Sequence, residues 1–138
     1  MKQLTPRSTC PISFSLDVLG DKWALLILRD LVFAGKSTYG EFLQSAEKMA
    51  TNILANRLAT LESQGIITKE VAADKRSKFT YRLTEKGLDL LPLLLEITRW
   101  GAKYSPAGGP ASLLQDFAID KEATIQKYRQ LVQARNAG

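Results

Sequence analysis

An α+β, mostly helical fold is predicted by three features of the sequence. An amphipathic helix closes on Leu61-Glu62-Ser63-Gln64-Gly65. A shorter helix with a capping signal precedes it. Two alternating strand patterns follow, separated by a basic loop and ending on Leu83-Thr84-Glu85-Lys86-Gly87. Together they form the pattern of a winged helix-turn-helix, here with a C-terminal helical extension and an expected dimeric state.

The elements follow in order. Pro11 suits the first turn of a short helix whose Ile12, Phe14, Leu16 and Leu19 supply apolar contacts up to Gly20. Asp21 is placed to cap a second helix, Lys22 to Phe33. Its apolar residues surround most of the circumference, so it must be covered by the core on one side and, by expectation, a partner subunit on the other. Thr38-Tyr39-Gly40-Glu41 reads as a capping box opening a third helix, with Tyr39, Phe42 and Leu43 inward. After a polar turn a fourth helix starts near Ala50 or Thr51 and stops before Gly65. Ile66 to Val71 and Phe79 to Leu83 are strand-like, with Lys75, Arg76 and Lys78 in the loop between them. Thr84 then caps a long fifth helix running through Trp100, with a kink at Pro92. Ser105 to Pro110 breaks the pattern, and one or two helices resume from Ser112 to Arg135. The predicted organisation is an arm over residues 1–9, a winged-helix DNA-binding domain over 10–104, and a dimerising helical extension over 105–138.

Composition narrows the function classes. The chain has 138 residues, 45% of them hydrophobic, enough for one core without disulfide or metal. A net charge of +5 favours a polyanionic partner, although surplus lysine also serves solubility. With no histidine and Cys10 as the single cysteine, neither an ordinary zinc site within one chain nor histidine-based catalysis is available. No cofactor, no metal and no enzymatic activity are expected. The polar start, Met1 to Thr9, lacks the apolar core of a signal peptide, and no apolar run reaches membrane-spanning length. The expectation is a soluble cytoplasmic protein with no membrane partner, in a compartment that keeps thiols reduced.

At about 100° per residue, Ile53, Leu54, Leu58 and Leu61 share one arc of the fourth helix, while Thr51, Asn52, Ala55, Asn56 and Ala59 share the opposite one. That outer face is small, polar and free of acids in its first half. It suits a DNA major groove, where Asn pairs with the adenine edge and Ala or Thr methyls meet the thymine methyl. An ordinary solvated face is the plain alternative, and Thr51 has a second reading as the helix cap. Arg57 falls in the apolar arc, which favours an internal salt bridge or a route to a phosphate over a base contact. Thr38 and Tyr39, at the start of the third helix, complete the DNA-contact candidates, and Lys75, Arg76 and Lys78 are placed to reach the minor groove or flanking phosphates.

Cys10-Pro11-Ile12, Leu19-Gly20-Asp21-Lys22-Trp23 with Ile27-Leu28-Arg29-Asp30-Leu31, Asn56-Arg57-Leu58 with Leu61-Glu62 and Gly65, and Tyr81-Arg82-Leu83-Thr84-Glu85-Lys86-Gly87 together resemble the HxlR-type transcriptional regulators, of the MarR-like winged-helix group. The resemblance spans about Cys10 to Trp100. It implies a homodimer bound to a near-palindromic operator in double-stranded DNA. Members with a cysteine before proline near the amino terminus include sensors of quinones, aldehydes or oxidants, which makes Cys10 the candidate redox-sensing residue. A helix start and nearby Arg7 both favour a thiolate at Cys10; the alternative is a small buried apolar residue. Two rivals stand beside this reading: a winged-helix protein-interaction module without DNA binding, and a thiol enzyme using Cys10, which would lack both a usual base and a resolving cysteine.

Overall fold

The structure, a computed structural model, describes residue 5 and residues 7–137. The arm expected over residues 1–9 therefore lies largely outside the described residues. Among them the chain runs α1 (Pro11–Leu19), α2 (Ala24–Val32), α3 (Tyr39–Leu43), α4 (Thr51–Ser63), β1 (Ile67–Val71), β2 (Phe79–Leu83), α5 (Glu85–Leu88), α6 (Leu91–Tyr104), α7 (Ala111–Ile119) and α8 (Lys121–Ala137). The strands form an antiparallel hairpin in which Ile67 faces Leu83 and Val71 faces Phe79. Its inner end joins the core; its outer end projects as the wing.

The core is built from the predicted apolar arcs. Ile27, Leu28 and Val32 of α2 meet Phe42 of α3, Leu54, Leu58 and Leu61 of α4, and Ile67 and Leu83 of the hairpin. Asp21 caps the second helix as its sequence position indicates: its carboxylate accepts from the backbone N–H groups of Trp23 (2.8 Å) and Ala24 (2.9 Å), although the helix proper begins at Ala24. Gly65 adopts φ +73 at the end of α4, the left-handed conformation that lets the chain turn directly into β1.

Two expectations are corrected. The long fifth helix is two helices. Thr84 does cap α5, its hydroxyl accepting from the Gly87 N–H at 3.1 Å, but the helix ends at Leu88. Pro92 then stands in the first turn of α6, where its missing N–H is harmless; within a continuous helix its ring would clash with the preceding turn. The second correction concerns the cover over α2, which comes largely from the chain itself. The extension at 105–138 folds back, α8 packs on α2, β2 and α6, and Val132 enters the main core. Leu113 and Phe117 of α7 form a second small cluster with Leu95 of α6, and Phe33 meets Tyr128 edge to face at 5.2 Å.

Polar contacts fasten that extension. Arg135 Nη1 donates to the carbonyls of Leu31 (3.2 Å) and Val32 (2.7 Å), supplying donors to the open C-terminal end of α2. Asn136 Nδ2 donates to the Leu83 carbonyl at 3.1 Å, Arg82 Nη1 donates to the Asn136 carbonyl, and Arg129 pairs with Glu85 at 2.7 Å and Asp89 at 2.6 Å.

The junction of wing and helices is tightest at Gly87, where a Cβ would stand 2.3 Å from the Ile66 carbonyl oxygen and 2.7 Å from Leu83 Cδ2. Gly87→Ala is expected to lower stability by about 1–3 kcal/mol through this overpacking, read as a lower urea midpoint with an unchanged m-value.

Candidate nucleic-acid interface

The helix-turn-helix is set in place by a buried acid. Asp30 of α2 is only 4% exposed. Its Oδ1 accepts from Arg29 Nε (3.0 Å) and Nη2 (2.9 Å), and its Oδ2 accepts from the Ser45 hydroxyl, with Lys36 Nζ 3.7 Å away. Ser45 belongs to the turn between α3 and α4. Arg29 extends the link to that turn through Glu47, donating from Nη1 at 2.6 Å and Nη2 at 2.9 Å. The guanidinium holds the Glu47 carboxyl down at about 2. Lys48, next in the turn, takes a left-handed φ of 54, unusual for a residue with a side chain, and directs the chain into α4.

Helix α3 opens with the predicted capping box. The Thr38 hydroxyl accepts from the Glu41 N–H at 3.3 Å, and Glu41 Oε1 accepts from the Ser37 and Thr38 N–H groups, each at 3.1 Å. Thr38 is buried by this role and lies beneath the surface that DNA could touch. Tyr39 is half-buried, with its hydroxyl donating to the Thr51 carbonyl at 3.0 Å, so it braces the start of α4 from the rim of the surface.

The structure places Thr51, Asn52, Ala55, Asn56 and Ala59 together on the exposed face of α4. Ala50, not Thr51, occupies the cap position and provides no side-chain cap, so the Thr51 side chain is left to the surface and no acid lies in the first turn. Arg57 turns inward along the reading its wheel position favoured: Nε lies 3.0 Å from Asp21 Oδ1, and Nη1 donates to Asn56 Oδ1 at 2.6 Å. Arg57 thereby fixes the Asn56 amide, and its charge is shared with Asp21.

Lys75, Arg76 and Lys78 are exposed at the wing tip, as expected. Asp74 shapes that tip, its Oδ1 accepting from the backbone N–H groups of Arg76 (3.1 Å) and Ser77 (2.6 Å). One further cation went unnoticed in the sequence. Lys69 of β1 stands with Nζ 4.2 Å from the centre of the Phe79 ring, with Lys78 Nζ at 5.1 Å from the same ring. A groove of about 480 Å³ runs between these residues and Tyr39 and Gly40 at the start of α3. Strand alternation held the signal: Ile67, Lys69 and Val71 share one face, and only Ile67 lies deep enough to be buried.

Cys10 is a free, exposed thiol at the cap position of α1, which sets aside the buried apolar alternative. Arg7 pairs with Asp17 at 2.7 Å rather than with the cysteine. Beyond Cys10, α1 and α6 present a continuous apolar face, with Ile12 71%, Leu16 52%, Ile97 43% and Trp100 64% exposed.

An exposed helix without acids in its first turn, set on a helix-turn-helix and flanked by a cationic hairpin, defines a winged-helix DNA-binding protein of the transcription-regulator class. The HxlR-like helix-turn-helix family matches residues 18–108. The HTH-type transcriptional regulator YdeP of Bacillus subtilis is 37% identical over 95 residues, covering 69% of this chain and 73% of the relative. Among solved structures, the oxidized form of the redox regulator HypR superposes with a TM-score of 0.61 at 34% identity, over 68% of this chain and 96% of that one. The reduced form of the transcriptional regulator YodB from B. subtilis gives 0.57 at 28% identity, over 73% and 99%. The chain belongs to the HxlR-like helix-turn-helix family of transcriptional regulators, which are not enzymes. No helix among the described residues is long and apolar enough to cross a membrane.

Because the Glu47 carboxyl titrates near 2 in the folded chain and at about 4.5 otherwise, its contribution is complete above about 4.5 and disappears as pH falls through about 2. Wild type should therefore exceed Glu47→Gln in stability at neutral pH, with the gap closing between pH 4.5 and 2 in denaturant titrations.

Proposed function

We propose that the chain is a cytoplasmic, homodimeric transcriptional repressor that reads a near-palindromic operator in double-stranded DNA with the outer face of α4. The observation that carries this reading is the exposed patch of Thr51, Asn52, Ala55, Asn56 and Ala59, fixed from behind by Arg57 and Tyr39. Asn52 and Asn56 offer amides to base edges, and Ala55 and Ala59 offer methyls to thymine. The first-turn N–H groups of α4, uncapped by any side chain, suit a backbone phosphate. Lys69, Lys75, Arg76 and Lys78 supply the sequence-independent attraction along the flanking backbone.

The dimer rests on the α1–α6 face. Leu93, Ile97, Trp100 and Tyr104 recur at alternating spacings of four and three along α6, a seam suited to a second copy, and Ile12 and Leu16 of α1 widen it. Two copies related by a two-fold axis through this seam would present paired α4 helices to successive major grooves. Cys10 lies at the end of α1 that borders this face. An adduct with an electrophile or quinone, or an oxidised thiol, would alter that border and with it the spacing of the two α4 helices. The likeness to the redox regulator HypR, in both its oxidized and its reduced form, supports this assignment.

In fluorescence-anisotropy titrations, Asn52→Ala or Asn56→Ala should each weaken operator binding by about 1–3 kcal/mol and leave random-duplex binding unchanged. Replacing Lys75, Arg76 or Lys78 should weaken both duplexes and lower the salt slope by about one per charge. A protein-interaction module would show no salt-dependent affinity in either titration.

Trp100→Asp with Ile97→Asp is expected to convert the dimer to a folded monomer in sedimentation runs and to abolish operator binding at the same concentration. Diamide or benzoquinone should lower wild-type operator affinity by about 5- to 150-fold and leave Cys10→Ser unaffected, the span that ordinary coupling between sites provides.

A further inference from the structure

Where α8 ends, a cavity of about 280 Å³ opens between the C-terminal end of α2, β2 and the last turn of α8. Leu31, Leu83 and Val132 give it an apolar lining, and Arg82 and Arg135 bring two guanidinium groups to it. No Asp or Glu lines it among the described residues. Arg82 Nε is withdrawn from solvent and makes no hydrogen bond among the described residues; its ion-pair partner Glu70 stands 3.5 Å away and 57% exposed, and Nη1 donates to the Asn136 carbonyl. Arg135 spends Nη1 on the two α2 carbonyls. Its Nε and Nη2 lie along Gly35, each 3.7 Å from where a Cβ would be, and make no hydrogen bond among the described residues. Gly35 itself turns with φ +66 beneath the guanidinium.

This combination selects one ligand chemistry. Guanidinium donors without a full complement of acceptors call for an anion, and their planar fork matches a carboxylate. Inorganic phosphate would satisfy the donors but leave the Leu31–Leu83–Val132 surface against water. A neutral apolar molecule would do the reverse, and a metal cation finds no acid. We propose that the cavity is an effector site for a small organic carboxylate with a compact apolar body.

Its walls explain how occupancy would be felt. The Tyr81 N–H donates to the Ser37 carbonyl at 2.7 Å, and Thr38 bridges to Thr80, so the segment entering α3 is laced to the wing strand at the cavity. A ligand there touches both halves of the reading head. The third wall, α8, lies beyond residues 18–108 that match the family, so the site exists only because this chain carries its extension.

The binding arm needs no DNA. Benzoate, isovalerate, benzamide and inorganic phosphate are titrated into the isotope-labelled full chain and followed by amide NMR. Benzoate and isovalerate should shift Gly35, Ser37, Thr80 and Arg82 saturably, with benzamide and phosphate at least about tenfold weaker. Arg82→Gln and Arg135→Gln should each weaken the carboxylates about tenfold. Since Arg135 also caps α2, Val132→Phe, which fills the cavity and leaves every charge in place, serves as the second variant and should abolish the shifts. Benzamide matching benzoate, variants matching wild type, or no saturable shift at millimolar carboxylate would overturn the site. The regulatory role rests on the DNA-binding reading and is measured separately: saturating benzoate should change wild-type operator affinity and leave Val132→Phe unchanged. Unaltered operator affinity in wild type would overturn that role, while loss of operator binding without ligand would count against the DNA reading instead.

Discussion

Asp30 holds the helix-turn-helix together. A buried carboxylate costs desolvation energy unless its lone pairs are used; here Arg29 and Ser45 donate to it, and the Lys36 ammonium stands 3.7 Å away. The arrangement ties α2, at the centre of the core, to the one turn that decides where α4 points. Losing one member would leave a buried charge uncompensated, at a typical cost of about 3–5 kcal/mol. An apolar replacement would remove that cost but also a buried polar link from α2 to the turn, so the arrangement contributes position more than stability. Glu47 and Lys48 carry the constraint outward, the first by its pairing with Arg29 and the second by its left-handed turn into α4.

From that node the surface is assembled by short-range rules. The Thr38–Glu41 box starts α3 at a fixed angle, Tyr39 reaches across to the first carbonyl of α4, and Arg57 orients Asn56 from behind. A side chain held by its neighbours loses less conformational freedom when it meets a base edge, which is how a rigid scaffold converts weak contacts into discrimination. The wing follows a different logic. Its cations are exposed and its tip is shaped by Asp74 and by the Ala72 N–H donating to the Lys78 carbonyl, so it offers charge and reach more than fixed side-chain geometry. The C-terminal helix adds a brace absent from the family's shared region, joining the end of α2 to β2 through Arg135 and Asn136.

Local signals made most of this legible before any coordinates. Periodicity set the two faces of α4, the Thr38-to-Glu41 spacing gave the cap of α3, and alternation from Phe79 to Leu83 gave the inner strand. Failures came where partners distant in sequence decide the outcome. Pro92 signalled a disturbance but not its form, because a kink and a restart differ only in whether the preceding turn closes, which the packing of Leu88 and Leu91 determines. The all-round apolarity of α2 correctly demanded a second cover, yet nothing local indicated that α8, about a hundred residues away, would supply it. Thr38 and Arg57 were visible as polar residues near the exposed face of α4. Only the fold shows the first beneath the surface and the second turned toward Asp21.

Under the proposed function, α4, held by the Asp30 node, reads base edges. Selection of duplexes from a random pool by the full-length protein, followed by footprinting of the winners, tests it most directly. The expected result is an enriched inverted repeat whose half-sites lie about one helical turn apart, with protection centred on the major groove of each. A double variant at Asn52 and Asn56 should enrich no such repeat. A pool that remains random, or the same repeat enriched by the double variant, would contradict it.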